Sequence, residues 1–336
     1  MERLRTITPS RRRGLLLVGT ASTLFAINGT VSKAVLVAGV PALRLTELRV
    51  AGTFLLLTMV IAIIRPRSLR ITRAELPMLI IYGVVGIALV QTFYFVAIRR
   101  LPVGVALLIE YTAPILVALW AHFGQHRRLP PRFWWALAAA MIGLSMVAQV
   151  WRGATLNAIG VLAAFGAAVS LALYFIVGER TIRAGTRDLY SFTAWGFAVA
   201  TIAVSILQPW WTYPWALLGR RSTLIEGLPA IPVWLLVLWV VVLGTLVPYL
   251  LTLASLGHLT ATASSVASMF EPVLAGALAW IVLSESLLPI QVLGAAVVLG
   301  AIVVAELTGG HPMPTEATLP EVVGGGSQEV EDQQDR

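Results

Sequence analysis

Stretches of about twenty apolar residues recur along this chain, divided by short polar or proline-containing breaks, and no other feature constrains its fold so tightly. A bilayer core about 30 Å thick is crossed by roughly 20 apolar residues in helical form. Read as spans, the runs fall at 14–37, 43–64, 76–98, 103–123, 133–150, 158–178, 189–208, 233–255, 259–283 and 289–308. Of the 336 residues 58% are hydrophobic and only 12% charged, with a mean hydropathy of +0.86. A water-soluble domain carries about 25% charged residues. The expected fold class is therefore an all-α membrane protein with ten transmembrane helices. After Gly309 the pattern changes: Gly324 to Gly326, Ser327 and the acidic Glu329, Glu331, Asp332 and Asp335 have no apolar period and read as a disordered acidic tail over 309–336.

The net charge of +8 does not make this a nucleic-acid binder, because the arginines sit in short clusters between apolar runs. One side of the array collects Arg3, Arg5, Arg11 to Arg13, Arg65, Arg67, Arg70, Arg73, Arg127, Arg128, Arg132, Arg180, Arg183 and Arg187. The other holds only Lys33, Arg44, Arg99, Arg100, Arg152, Arg220 and Arg221. Positive charge favours the cytoplasmic side, so both termini are expected there, with 1–13 as a cytoplasmic N-terminal segment. Ser10 to Arg13 ahead of an apolar run has the look of a secretion signal, but the run continues to Val40 and nine more follow, so a retained first helix is the simpler reading. Cysteine is absent, which removes disulfides, thiolate metal sites and thiol nucleophiles.

The chain is also similar to itself at an offset of about 157 residues. Val90-Gln-Thr-Phe-Tyr-Phe-Val-Ala97 matches Val247-Pro-Tyr-Leu-Leu-Thr-Leu-Ala254; after a one-residue slip, Leu101 matches Leu259, Pro114 matches Pro272 and Pro131 matches Pro289. Two halves of five helices each, 14–150 and 158–308, must enter the membrane from opposite sides, making them inverted repeats. Such repeats are common in secondary transporters. The matched prolines add chemistry: Pro114 cannot donate to the carbonyl of Glu110, nor Pro272 to that of Ser268. Carbonyls freed inside a membrane need protein or water partners, which points to a polar cavity at the middle of spans four and nine.

Phe270-Glu271-Pro272-Val273, then Ser284-Glu285-Ser286-Leu287, Pro289, Gln291 and Gly294, resemble the end of the second repeat in the drug/metabolite transporter superfamily, EamA type. The run from Leu101 through Glu110 to Pro114 is similar to span four of its threonine/homoserine exporter branch, and Pro41, Arg44 and Arg49 resemble the start of span two. The resemblance covers about 14–308. It implies ten helices in two inverted five-helix repeats, cytoplasmic termini, and export of amino acids or related metabolites. Ser284 stands where relatives usually have glycine, a departure in the turn before Glu285, and the long connection from Pro209 to Pro232 departs at the external face.

Glu110 carries the most weight among single residues, since a charged carboxylate in mid-span costs roughly 2.5–3.5 kcal/mol on insertion scales. It reads as a ligand for a substrate ammonium or as a protonatable coupling group, against a structural tie to a neighbouring helix. Glu271 divides evenly between site and brace, and Glu285 reads as a turn residue. Arg49 offers a bidentate contact to a substrate carboxylate, or a structural role, pairing with a carboxylate such as Glu47 or snorkelling, and the structural reading is the preferred one. Lys33 and Arg44 read as snorkelling at the external ends. Asn28, Gln91, Tyr94, Tyr111, Thr112, Tyr174 and Trp195 supply polar or aromatic groups, each equally well explained by helix packing. His122 and His126 have metal-ligand spacing but no third ligand close by, so they read as interfacial histidines. Gly294 and Gly300 read as easing helix packing. Trp210, Trp211, Tyr213 and Trp215 in the long connection read as a segment lying on the membrane, in preference to a substrate lid.

Together these features describe a secondary transporter, not an enzyme, that exports small polar metabolites of the threonine/homoserine kind by alternating access across the cytoplasmic membrane of a prokaryote. Its substrate site would comprise Glu110, Gln91, Tyr94, Asn28, Thr112, Tyr174 and Trp195, with Pro114, Glu271 and Pro272 shaping the helices. No cofactor or metal is expected; the partners are the substrate, the bilayer and protons as coupling ion, in a monomer or homodimer. A multidrug exporter and a membrane-embedded lipid transferase are the rival readings, the second lacking a His/Asp/Glu cluster at an interface.

Overall fold

The computed structural model describes residues 10–151, 157–185, 187–224, 229–283 and 288–308. Residues 1–9, Glu285 and the tail from 309 onward lie outside them. Spans one to eight run Arg11–Val37, Ala42–Ile64, Leu76–Ile98, Val103–Gly124, Pro131–Ala148, Ala158–Arg183, Leu189–Leu207 and Val233–Ser255, and span ten Pro289–Thr308. Among the described residues these nine helices are long and apolar enough to cross a membrane. Span nine consists of two helices, Ala261–Ser268 and Phe270–Leu283. Large apolar side chains such as Ile63, Trp135, Leu162 and Ile206 point outward, as a lipid-facing surface requires.

Two ends extend beyond the apolar runs because arginines there have partners. Span one begins at Arg11, whose guanidinium meets Glu306 of span ten at 3.1 Å. Span six continues to Arg183, which lies 3.3 Å from the buried Glu179, with Arg127 at 3.6 Å on the same carboxylate. A carboxylate taken out of water needs such company.

The two repeats are interlocked. Span one leaves its own half to pack on spans eight and nine, span six packs on spans three and four, and spans two and seven and spans five and ten pair across the halves. The exchange has near-atomic symmetry. A Cβ on Gly14 would fall 2.5 Å from Leu259 Cγ, and one on Gly160 would fall 2.8 Å from Leu101 Cγ, the two leucines being matched residues of the repeat. Likewise Gly244 is packed against Asn28, and Gly86 against the backbone of Tyr174. Spans five and ten touch where the backbones of Gly143 and Gly294 meet, whereas Gly300 faces open space.

Spans three and eight each contain a wider π-helical stretch, Ile81–Leu89 and Val242–Leu246, ending directly before the matched Val90 and Val247. In span eight the cause is legible: Pro248 has no N–H to give the carbonyl of Gly244. π-helical turns are frequent at functional sites, and both of these lie beside the crevice described below.

At the arginine-poor end, the chain after span seven forms short 3₁₀ turns at Trp210–Thr212 and Trp215–Gly219 and a two-residue hairpin pairing Arg221 with Pro232. Trp211 is exposed, but the segment does more than lie on a surface. Arg44, read from sequence as snorkelling, is buried: it pairs with Glu47 at 2.8 Å, donates to the Pro209 carbonyl at 3.1 Å and to the Thr212 hydroxyl, and lies over the Tyr213 ring. The reason is Glu47, fully buried and in need of a cation. Burial beside Glu47 pushes the Tyr213 phenol up to about 12. At the arginine-rich end Arg187 is equally structural, donating to Ser191, Glu75 and the carbonyls of Ser68 and Arg70 at 2.8–2.9 Å.

Candidate substrate site between the broken helices

The site begins with two interruptions. The first helix of span four stops at Glu110, Tyr111 and Thr112 turn, and a second helix starts at Ala113 with Pro114 in its first turn. Span nine stops at Ser268, turns at Met269 and restarts at Phe270, with Pro272 in its first turn. Proline tolerates the first turn of a helix because its missing N–H would have no intrahelical partner there. The matched prolines therefore act as helix restarts. Thr112 closes the first break by donating from its hydroxyl to the Ile109 carbonyl at 2.6 Å, and Ser268 bonds to the Ser265 carbonyl at 2.7 Å in the other.

The breaks bring together two carboxylates that the repeat does not equate. Glu110 ends the first half of span four and Glu271 opens the second half of span nine, within electrostatic range of each other. Tyr94 of span three faces both, and the Tyr111 hydroxyl faces Glu271. Each glutamate is only partly buried.

Beside this pair lies a narrow crevice lined by Arg49, Thr46, Gln91, Phe197, Thr245 and Tyr249. Arg49 was read from sequence as a partner for Glu47, but Glu47 is taken by Arg44. Arg49 instead donates from Nε to Thr245 Oγ1 at 2.9 Å, and that hydroxyl donates to the Val240 carbonyl at 2.8 Å, an i to i+5 contact available because span eight widens there. Its guanidinium lies within electrostatic range of Glu271 and Tyr249. Gln91 faces the Tyr249 hydroxyl.

Of the residues predicted for the site, Glu110, Gln91 and Tyr94 converge here with Glu271. Thr112 is engaged in the break itself. Asn28 and Tyr174 flank the centre as symmetry mates, each on a glycine of a π-helical stretch; Asn28 Oδ1 accepts from Ser32 at 3.3 Å. Tyr174 joins an aromatic cluster with Tyr82 and Tyr249, ring centroids 5.5 Å away in each case. Trp195 sits elsewhere, its indole donating to the Leu69 carbonyl near the arginine-rich end at 3.1 Å. Tyr249 and Thr245 escaped sequence reasoning, since their matched residues in the first half show nothing alike; Pro248 inside span eight was the available hint. His122 bonds to the Arg127 carbonyl at 3.2 Å, and no cluster of metal-binding side chains occurs among the described residues.

Two interlocked inverted repeats around paired broken helices and a central polar cluster define a multi-pass membrane transporter. The chain belongs to the EamA-like transporter family, whose pattern matches residues 12–149 and again 158–306. It is 30% identical over 274 residues to the threonine/homoserine exporter RhtA of Escherichia coli (strain K12), covering 80% of each chain. The threonine/homoserine exporter RhtA of Salmonella typhimurium (strain SL1344) is 30% identical over 278 residues, covering 80% of this chain and 82% of that one. An uncharacterized transporter, YdfC of Bacillus subtilis (strain 168), is 23% identical over 261 residues, covering 77% and 79%. A solved crystal structure shares the fold with a TM-score of 0.70 at 22% identity, over 89% of this chain and 98% of the other.

Proposed function

We propose that this protein exports small polar metabolites, foremost amino acids of the threonine/homoserine kind, across the cytoplasmic membrane by alternating access. Both termini face the cytoplasm, and the repeats 14–150 and 158–308 rock about the site between them. The observation that carries this reading is the meeting of Glu110 and Glu271 at paired helix breaks, with Tyr94 facing both. Glu110 binds the substrate ammonium, Gln91 and Tyr94 supply polar contacts, and a proton replaces the ammonium on the return step. The naming of the RhtA relatives as threonine/homoserine exporters supports the substrate class.

The test is efflux from cells preloaded with labelled amino acids, comparing the protein, its Glu110→Gln variant and an empty vector. Faster loss of threonine or homoserine with the intact protein, returning to the vector rate in the variant at equal expression, is the expected result. Full efflux by Glu110→Gln would remove the assigned role. Resistance to lipophilic cations without any amino-acid efflux would favour the multidrug reading.

A further inference from the structure

Among the described residues Arg49 is the cation placed against this cluster, and its geometry differs from that of the buried Arg44 and Arg187. Arg44 and Arg187 spend their terminal amino groups on carboxylates, hydroxyls and carbonyls of the protein. Arg49 is held only by Nε, on Thr245; among the described residues its two terminal amino groups make no hydrogen bond to protein, and the guanidinium lines the crevice. A guanidinium anchored at Nε presents its terminal N–H groups as a fork with little rotational freedom left to lose, the arrangement that suits a carboxylate.

We propose that Arg49 is the specificity-determining residue that receives the substrate's carboxylate, so that the site selects molecules bearing an amine and a carboxylate together. The assignment rests on the amino-acid export reading above and deepens it. The site holds both signs of charge that such a dipole needs: Glu110 and Glu271 within electrostatic range of each other, and Arg49 in the crevice with Gln91 and Tyr249. Glu271 lies within electrostatic range of Arg49 and partly balances its charge, which offsets the cost of holding a cation away from water. An incoming carboxylate takes the fork, and the ammonium takes Glu110. A lipophilic cation would find attraction at the glutamates and repulsion at Arg49. A metabolite with neither charge would gain nothing at either end.

The experiment uses the full-length protein in liposomes, measuring uptake of labelled L-threonine and L-threoninamide, which keeps the amine but lacks the carboxylate. The intact protein is expected to prefer threonine by about tenfold or more, the range set by a charge-assisted hydrogen-bonded pair. Arg49→Gln is expected to lose threonine transport while keeping that of the amide, bringing the ratio near one, and Arg49→Lys to recover part of it. Should Arg49→Gln fail to fold, Thr245→Val keeps the charge but frees the fork, and an intermediate ratio is expected. An unchanged ratio in a folded Arg49→Gln variant overturns this assignment and leaves amino-acid transport standing. Absence of threonine transport by the intact protein overturns the underlying reading and this assignment with it.

Discussion

Spans four and nine are the same device set in opposite electrostatic senses. Both are helices interrupted near mid-length and restarted on a matched proline. Yet Glu110 is the last residue before its break, at a helix C-terminus, whereas Glu271 stands in the first turn after its own. A helix N-terminus carries partial positive charge and a C-terminus partial negative charge. Glu271 thus has its own helix N-terminus, the Tyr111 hydroxyl and Arg49 as nearby partners. Glu110 has no such support, and another carboxylate faces it. Symmetry of the backbone combined with asymmetry of the side chains sets Glu271 beside Arg49 and Tyr111 and leaves Glu110 without a hydrogen bond or ion pair among the described residues, the arrangement that the proposed ammonium site calls for.

The largest effect that would sharpen or break this contrast is on transport. Glu110→Gln is expected to bring threonine efflux to background with little change in thermal stability, since a neutral amide replaces an unsupported charge. Glu271→Gln is expected to retain measurable efflux but to lower stability by about 1–3 kcal/mol, because Tyr111 loses a charged acceptor and Arg49 a nearby opposite charge. Thermal unfolding and efflux measured side by side decide the matter; identical behaviour of the two variants would dissolve the distinction.

A smaller effect separates the two π-helical stretches. A Cβ on Gly244 would lie 2.1 Å from Asn28 Oδ1, while one on Gly86 would lie 3.3 Å from Tyr174 Cα. Gly244→Ala is therefore expected to cost about 1–3 kcal/mol by overpacking, and Gly86→Ala less. Adding Asn28→Ala should relieve the first variant and leave the second untouched, as read by thermal unfolding in detergent.

The smallest effect lies at the arginine-rich end, where no symmetry operates. The Thr72 backbone N–H, the Thr72 hydroxyl and Arg187 hold the Glu75 carboxyl below its ordinary value. A carboxyl with a depressed folded value contributes stability at neutral pH that disappears as pH falls through that value. Glu75→Gln is thus expected to be slightly less stable than the intact protein at pH 7, with the two converging below about pH 4. No difference at pH 7 would mean that Arg187 relies mainly on its other acceptors, Ser68, Arg70 and Ser191.

Much of the fold was legible in the primary structure, because the bilayer demands the same apolar length from every span. Spans three and ten start and end where the apolar runs do. The freed carbonyls of Glu110 and Ser268 were legible too, since a proline's missing N–H is a covalent fact, although the sequence suggested kinks where the helices stop and restart. Arg44 was misjudged because two of its partners, Pro209 and Thr212, come from a distant segment, and snorkelling is a statement about one helix alone. Trp195 looked like a cavity residue by its place in a span, but its partner Leu69 lies in the connection after span two.

By itself, the sequence determined that the chain crosses a membrane ten times, that its halves are inverted repeats, and where spans four and nine lose a backbone hydrogen bond, for these follow from apolar length, parity and proline chemistry. Only the tertiary structure decided that span one belongs to the second half and span six to the first, that Glu110 and Glu271 face each other although the repeat does not match them, and that Arg49 rests on Thr245 with its fork toward the crevice. These depend on how helices far apart in the chain meet, and helix packing is set by shape at contacts such as Gly244 on Asn28, which no local periodicity encodes.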